Sequence, residues 1–328
     1  MNSSPPGVAE ALVLCFQSLN ESCPRVVYSL AFRAPLYLLF TLVITLIISG
    51  NLLVICIIVC SQNLQTATHN LILSLSVAGL LLGVLVLPPS MVRSLETCWY
   101  FGKAFCNFHS VADIILCNTT VWHLTFISVD RYLAVCWPLH YQSRATHRLC
   151  ITMVTSSWGL AAVFAFAITL SNPQIKNKDS FHKGCVGGCF ALHTKEIGIE
   201  YSIMFFFIPV SIIVSLYSKI FFIAQKHSKV IHSYTNNSKS CVPMATKDLK
   251  ATKTLALVIG NFIFCWTPFF MCNIVDPIIY HSIPSLLYEV LMWVAYLNSM
   301  FNPLIYALFY SWFRETAKIL VTKLLKKF

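Results

Sequence analysis

Charged residues are scarce in this sequence, and acidic ones are scarcer than basic ones. Only 11% of its 328 residues are charged, against about 25% in soluble domains, while 57% are hydrophobic. Because so few charges cannot keep the apolar surface covered in water, the composition excludes an ordinary soluble protein. Seven stretches are long enough to cross a hydrocarbon layer of ~30 Å. They lie near 35–60, 69–92, 104–136, 149–171, 198–225, 250–275 and 285–309. The sequence therefore predicts an all-α membrane protein, a bundle of seven transmembrane helices.

The sequence also lacks the residue patterns that catalysis or metal binding requires. His227 and His232 do not have the His-Glu-x-x-His spacing, and no cysteine or aspartate ligands lie close to them. His109 and His123 fall inside the third predicted helix, where packing or hydrogen-bonded histidines are more common than metal ligands. No glycine-rich phosphate loop occurs. We therefore expect no enzyme activity, no metal site and no cofactor.

The positive charges predict how the chain is oriented. The loops around 61–68, 137–148 and 226–249, together with the C-terminal tail, collect 15 of the 23 Lys and Arg residues but only three acids, Asp130, Asp248 and Glu315. The opposite side carries eight Lys and Arg residues and eight acids, and one further acid lies within the membrane. Because cytoplasmic loops are enriched in Lys and Arg, the basic side is predicted to be cytoplasmic. The basic excess thus indicates topology and gives no support to nucleic-acid binding.

This orientation divides the chain into three parts at the plasma membrane. The N-terminal segment 1–34 is expected to be extracellular, with glycosylation sequons at Asn2 and Asn20. Residues 35–309 form the seven-helix domain. Residues 310–328 are predicted to form a short amphipathic basic helix that lies on lipid at the inner leaflet.

Asp113 is the acid within the third hydrophobic stretch. An aspartate buried in a membrane is unfavourable without a cation, and no Lys or Arg occurs in the adjoining stretches at comparable depth. A protonated amine from outside the chain is therefore the expected partner. Aromatic faces attract ammonium groups, and Trp266, Phe269 and Phe270 share one face of the sixth helix beside Pro268.

Polar residues and a proline interrupt the seventh hydrophobic stretch, as in Asn298-Ser-Met-Phe-Asn302-Pro303-Leu-Ile-Tyr306 and the following Tyr310-Ser-Trp312-Phe313. Proline removes a helix hydrogen bond, and buried Asn and Tyr need partners on other helices, so such a segment can hold alternative packings. The string resembles the end of the seventh helix of class A G-protein-coupled receptors. In its longer form it is similar to the fingerprint of the trace amine-associated receptors, and the resemblance covers about residues 15–328.

The resemblance implies a site for a small monoamine. In these families the aspartate matching Asp113 binds the ammonium group of the ligand, and Trp266 is a toggle beneath it. On the fifth helix only Ser202 remains as a small hydroxyl and no second acid faces inward, so a mostly apolar monoamine fits better than a catechol or a diamine. The predicted ligand-binding residues are Asp113, Cys117, Tyr201, Ser202, Trp266, Phe269, Phe270, Trp293 and Tyr296.

A coupling site is predicted at the cytoplasmic end of the same helix. Arg131 follows Asp113 by 18 residues, about 27 Å on the same helix face, and the same spacing separates Trp266 from Asp248. Asp248 is therefore expected near Arg131, where an ion pair could hold the inactive state. The family implies a stimulatory G protein as partner, cyclic AMP as output and an olfactory neuron as the place of expression. The predicted switch residues are Asp130, Arg131, Tyr132, Tyr217, Asp248, Asn302, Pro303 and Tyr306.

Six of the 14 cysteines lie on the predicted extracellular side: Cys15, Cys23, Cys98, Cys106, Cys185 and Cys189. The resemblance implies a disulfide between Cys106 and Cys189, which holds the second outer loop over the pocket. It also implies one between Cys23 and Cys185, which ties the N-terminus to that loop. Because sequence cannot fix the connectivity of six cysteines, a link from Cys15 to Cys185 stays open. Cys15 and Cys98 remain as candidate free thiols.

Gly79 departs from the resemblance, because class A receptors carry an aspartate at this position that anchors a sodium ion. The residues that match the rest of the sodium cage, Thr120, Asn298, Asn302 and Trp266, have no formal charge. One alternative is therefore a receptor that binds amine but couples weakly or in a biased way. The alternative from another class is a membrane transporter, against which the sequence shows neither an inverted repeat nor paired broken helices.

Overall fold

The fold is a bundle of helices. The computed structural model describes residues 13–19, 21–61, 67–137, 141, 147–171, 185–189, 195–234, 243–279 and 282–325. Within these ranges it describes only the backbone of 147, 171, 195–197, 224, 226–234, 243–253, 311, 321 and 323–325. We number the helices within these ranges in chain order. They are α1 (Leu30–Cys60), α2 (Ala67–Glu96), α3 (Gly102–Cys136), α4 (His147–Ser171), α5 (Lys195–Ser202, continued by Ile203–Phe207 and Ile208–Tyr234), α6 (Pro243–Ile278), α7 (Ser285–Phe309) and α8 (Ser311–Leu325).

Seven of these described helices, α1 to α7, are long and apolar enough to cross a membrane. Their inner faces bury residues such as Ile47, Leu71 and Leu124 without any exposed surface. Their outer faces present large apolar side chains, and Phe264 is 75% exposed. Apolar exposure around a whole bundle is unfavourable in water and favourable in lipid, so the predicted seven-helix membrane fold is confirmed.

Two π-helical turns and a close helix contact shape the bundle. The turns lie at Leu82–Val86 in α2 and at Ile203–Phe207 in α5, beside the predicted ligand-binding region. Gly50 of α1 faces Pro303 of α7, and a Cβ atom at Gly50 would lie 3.1 Å from the Pro303 Cβ. The missing side chain therefore lets α1 pack directly against the proline-containing segment of α7.

Three disulfides cap one end of the bundle, which we call the disulfide end. They join Cys106 to Cys189, Cys23 to Cys185, and Cys15 to Cys98. The first two are the pairs that the sequence analysis expected. The expectation that Cys15 and Cys98 are free was wrong, because the N-terminal segment lies over the 185–189 segment and brings the two Cα atoms within 5.8 Å.

Main-chain hydrogen bonds hold the N-terminal segment in this position. The Cys23 amide donates to the Val186 carbonyl oxygen at 2.9 Å, and the Trp99 amide donates to the Gly187 carbonyl oxygen at 2.8 Å. Gly187 has a φ of +98°, and a Cβ atom there would lie 2.7 Å from the Cys15 Cβ. Both the backbone conformation and the lack of space therefore require glycine beside the third disulfide.

A cluster of charges adds to this cap. Glu96 at the end of α2 accepts hydrogen bonds from Arg25, from Arg33 at 2.8 Å and from the Tyr37 hydroxyl at 3.0 Å. The Glu96 side chain is only 16% exposed. Because hydrogen bonds to a charged group are stronger than neutral ones, this carboxylate ties the N-terminal segment to both α1 and α2.

The short helix α8 lies at the opposite end, which we call the Arg131 end. It spans Ser311–Leu325, where the sequence predicted a short helix after the seventh span. Phe313 is 3% exposed, and Trp312 packs edge-on against His69 of α2 with ring centroids 4.7 Å apart. These aromatic contacts fix the start of α8 against the bundle.

Candidate ligand-binding site and switch region

Asp113 lies on α3, partly buried, with two hydrogen-bond donors at its carboxylate. The Tyr296 hydroxyl donates to Oδ2 at 2.9 Å, and the Cys117 thiol, one helical turn away, donates to Oδ1 at 3.3 Å. Among the described residues no Lys, Arg or His forms an ion pair with this carboxylate. The donors hold Asp113 in a defined orientation and leave its negative charge without a counter-ion from the described part of the chain.

Trp293 forms the wall beside this acid. Its ring packs edge-on against Tyr296 with centroids 5.8 Å apart, and it stacks on Phe40 of α1 at 3.9 Å with planes only 4° apart. Its Nε1 donates to the Ser94 hydroxyl of α2 at 3.1 Å. Contacts with α1, α2 and α7 therefore fix the indole ring of this predicted ligand-binding residue.

The aromatic residues of α6 come together as their spacing predicts. The Trp266 and Phe270 ring centroids are 5.7 Å apart, and Phe269 lies edge-on to Trp266 at 6.2 Å. Phe270 also stacks on Phe206 of α5 at 4.6 Å. Trp266 is 5% exposed, and its Nε1 has no hydrogen-bond partner within the described ranges. These rings form an apolar wall that can also attract a cation.

The fifth helix contributes Tyr201 and Ser202, but in different ways. The Tyr201 hydroxyl donates to Asn118 Oδ1 of α3 at 3.3 Å, and its ring lies 5.8 Å from Phe270. Ser202 is fully buried, and its hydroxyl donates to the Gly198 carbonyl oxygen of the same helix at 2.8 Å. The one small hydroxyl therefore already uses its proton within α5, which further disfavours a catechol.

Asn118, which accepts the hydrogen bond from Tyr201, is a buried polar residue that the sequence analysis missed. It is 1% exposed, and its Nδ2 has no partner among the residues that the structure describes. The available signal was a polar amide directly after Cys117 in a helix at membrane depth, where polar groups must be satisfied internally.

The two histidines of α3 form hydrogen bonds inside the bundle. His109 is hydrogen-bonded to the Ser90 hydroxyl at 3.0 Å and the Val86 carbonyl oxygen at 3.1 Å, and His123 donates to the Thr119 carbonyl oxygen at 2.7 Å. Both are buried. Packing and hydrogen bonding thus account for both residues.

At the Arg131 end, a buried network surrounds Asp130, which has no exposed surface. Its Oδ2 accepts hydrogen bonds from Thr68 at 2.6 Å and from Arg131 at 2.7 Å, and its Oδ1 accepts one from the Tyr141 hydroxyl at 2.7 Å. Burial and the nearby carboxylate raise the pKa of Tyr141, so this hydroxyl stays protonated and can donate. The partly buried Tyr132 follows directly on α3. The charge of Arg131 is thus balanced locally.

The expected partner Asp248 cannot be placed beside this network, because its side chain lies outside the described residues. Three tyrosine hydroxyls lie nearby without a hydrogen-bond partner in the described part of the chain, those of Tyr217, Tyr306 and Tyr310. Tyr217 and Tyr310 are close enough to Arg131 for an electrostatic interaction. Buried hydroxyls need hydrogen-bond partners, which water or another packing of the helices can supply.

Next to Pro303, the Asn302 Oδ1 is likewise buried and unpaired among the described residues. The space where class A receptors carry an acid is filled from α1. A Cβ atom at Gly79 would lie 2.7 Å from Asn51 Oδ1, and Asn51 Nδ2 donates to the carbonyl oxygens of Ile47 and Ser299 at 2.8 and 3.1 Å. A neutral amide therefore packs directly against Gly79.

The chain is similar to known proteins of one receptor family. Residues 50–306 match the family described as 7 transmembrane receptor (rhodopsin family). The chain is 40% identical to trace amine-associated receptor 4 of Mus musculus, over 98% of this chain and 95% of that protein. It is 40% identical to trace amine-associated receptor 1 of Homo sapiens, over 94% of this chain and 93% of the relative. It is 38% identical to trace amine-associated receptor 13c of Danio rerio, over 94% and 92% of the two chains.

Proposed function

The chain belongs to the trace amine-associated receptors within the rhodopsin family of seven-transmembrane receptors, and from this membership we propose that it is a receptor for a small monoamine. Members of this family are receptors and not enzymes, and the transporter alternative does not fit the match. In the proposed activity, the amine binds within the bundle and changes the packing at the Arg131 end, where a G protein docks.

The carboxylate of Asp113 is the observation that supports this function best. Tyr296 and Cys117 orient it, and the described residues supply no cation to neutralise it. A protonated monoamine provides one positive charge and several N–H donors. The aromatic rings of α6 and Trp293 then cover its hydrocarbon part, so charge pairing and apolar burial select the same class of ligand.

We further propose that the disulfide end is extracellular and the Arg131 end is cytoplasmic. The Lys and Arg excess in the loops at the Arg131 end supports this orientation, as does the presence of three disulfides at the other end, since disulfides persist in oxidising compartments. Asn2 and Asn20, which lie outside the described residues, would then carry glycans. Helix α8 would lie on the lipid of the inner leaflet.

For the partner, we propose a stimulatory G protein with cyclic AMP as the output. We propose that the receptor lies in the plasma membrane of an olfactory neuron. The buried pair of Asp130 and Arg131 supports a coupling role, because it joins a charged switch to the helix that also carries Asp113. If Asp248 contributes an inhibitory ion pair to Arg131, Asp248→Asn should raise basal signalling.

The experiment is a dose-response measurement of cyclic AMP in transfected cells with a panel of volatile monoamines. Asp113→Ala leaves a buried ammonium unpaired, which costs roughly 3 kcal/mol or more, so potency should fall at least about a hundredfold. Asp113→Asn should lose nearly as much, since it keeps the shape and removes the charge. Glu200→Gln, which removes an exposed acid on α5, is the matched control and should respond like the wild type.

Retained potency of Asp113→Ala at normal surface expression would refute the amine site. The second candidate, a receptor that binds amine but couples weakly, is favoured by the neutral amide that fills the space beside Gly79. Amine binding that depends on Asp113 without a cyclic AMP response would support this second candidate instead.

A further inference from the structure

A second carboxylate lies on the same face of α7 as the acid-binding Tyr296. Glu289 precedes Tyr296 by seven residues, which is two helical turns and about 10 Å toward the disulfide end. Its side chain is 27% exposed. The fifth helix has no second acid that is predicted to face inward, whereas Glu289 lies on α7, one turn before Trp293.

Neighbours on α2 hold this carboxylate. The Ser94 hydroxyl donates to Glu289 Oε2 at 2.5 Å and itself accepts the Trp293 indole N–H at 3.1 Å. Because Trp293 packs on Tyr296, and Tyr296 binds Asp113, an unbroken set of contacts joins the two carboxylates. Glu289 is therefore connected to the amine site through Ser94, Trp293 and Tyr296.

Arg93 supplies the charge that balances Glu289. Its Nε lies 3.7 Å from Glu289 Oε1, close enough for an ion pair but too far for a hydrogen bond. The Arg93 side chain is 17% exposed, and its charge acts on both His109 and Tyr296, the residue that binds Asp113. A second ammonium at this position would meet the positive charge of Arg93 before it could bind Glu289.

We propose that Arg93 masks Glu289 and thereby makes the site selective for amines with a single positive charge. Without Arg93, Glu289 becomes a second ammonium site, and a long diamine binds with one nitrogen at Asp113 and the other at Glu289. Because Glu289 lies about 10 Å farther along α7 than Tyr296, which binds Asp113, only a diamine with a long chain between its nitrogens is expected to reach both carboxylates. This inference rests on the proposed function of Asp113.

The test compares octane-1,8-diamine with octylamine, which has the same carbon chain and one charge, by their potencies in the cyclic AMP assay. Because like charges in contact repel each other, Arg93→Met should raise the potency of the diamine relative to octylamine by about tenfold or more. The shorter pentane-1,5-diamine should gain less, because its nitrogens are closer together than the two turns of α7 that separate Glu289 from Tyr296. The double variant Arg93→Met with Glu289→Gln should return to the wild-type ratio.

Arg25→Met is the matched control, because it removes an equal charge at the disulfide end while Arg33 still pairs with Glu96. Arg25→Met should leave the potency ratio of diamine to octylamine unchanged. A gain equal to that of Arg93→Met would show that only the total positive charge at the disulfide end matters. Arg93→Gln serves as a second variant, with surface expression measured for each. The proposal that Arg93 masks Glu289 is overturned if both Arg93 variants keep the wild-type potency ratio of diamine to octylamine. It is also overturned if the diamine keeps its gain in potency when Glu289→Gln is added. A wild-type receptor whose octylamine response does not depend on Asp113 overturns the proposed function as well.

Discussion

The two ends of the helix bundle are stabilised by different kinds of interaction. At the disulfide end, three covalent links join the N-terminal segment, α2, α3 and the 185–189 segment, and Glu96 binds two arginines. At the Arg131 end, the described contacts are hydrogen bonds and one ion pair around Asp130, and nearby tyrosine hydroxyls have no partner among the described residues.

This difference suits one end of the bundle to ligand binding and the other to conformational switching. A disulfide contributes about 2–4 kcal/mol and cannot exchange partners during signalling, whereas hydrogen bonds to a charged group contribute about 1.5–3 kcal/mol each and can re-form with other groups. The disulfide end is therefore the fixed end of the bundle, and we expect it to preserve the shape of the site around Asp113. The Arg131 end is the exchangeable end, because its hydrogen bonds can re-form with other groups, as a two-state element requires.

The largest effect is expected from breaking the fixed end at Cys106. Cys106→Ser removes the link that holds the 185–189 segment to α3, so surface expression or ligand binding should be lost. Cys15→Ser, by contrast, should lower thermal stability while leaving a functional receptor, because two links remain. Cys60→Ser, which changes a free thiol on the outer face of α1, is the control.

Expression is measured by surface labelling, and mass spectrometry of non-reduced peptides identifies the three pairs. Wild-type expression and potency of Cys106→Ser would show that the fixed end does not depend on this disulfide. A peptide linking Cys15 to Cys185 would contradict the connectivity.

A smaller but still large effect is expected at Gly187. In Gly187→Ala, the new Cβ atom would lie 2.7 Å from the Cys15 Cβ at a φ of +98°, so the receptor should lose about 1–3 kcal/mol of stability. Gly159→Ala on α4 is the matched control, since no atom lies within 4 Å of its new Cβ. Thermal unfolding of the purified receptor measures both, and equal Tm values would refute the tight packing.

The exchangeable end should respond to Tyr141→Phe with altered signalling and little loss of stability. The substitution removes one hydrogen bond to Asp130, so Arg131 should be released more often and basal cyclic AMP should rise severalfold. Asp130→Asn should raise it further. Tyr37→Phe removes a comparable hydrogen bond to Glu96 at the fixed end and should leave basal signalling unchanged. Equal basal activity of Tyr37→Phe and Tyr141→Phe would remove the functional distinction between the ends.

The sequence was sufficient to predict the parts of the molecule that follow from periodicity and composition. The seven helices and the clustering of Trp266 with Phe270 depend on hydrophobic length and helical spacing, which are local properties. The Cys15–Cys98 link and the Arg93–Glu289 pair could not be predicted, because they join residues 83 and 196 positions apart through the fold. Nor does the sequence show that Asn51 fills the space beside Gly79, since this depends on the packing of α1 against α2.

The smallest expected effect concerns the middle of the bundle, between the two ends. A sodium ion needs several oxygen ligands, and Gly79 offers no side chain, while the Thr120 hydroxyl donates to the Leu116 carbonyl oxygen. Agonist affinity should therefore be indifferent to replacing sodium with a bulky organic cation at constant ionic strength. Gly79→Asp should introduce a sodium effect of about fivefold or more, provided that the Asn51 amide moves aside. Gly79→Ala is the control, because its Cβ atom also crowds Asn51 but adds no charge. It therefore distinguishes the effect of the new charge from the effect of the crowding. A wild-type receptor whose agonist affinity falls specifically with sodium would show that another group completes the cage, and the middle of the bundle would then belong with the exchangeable end.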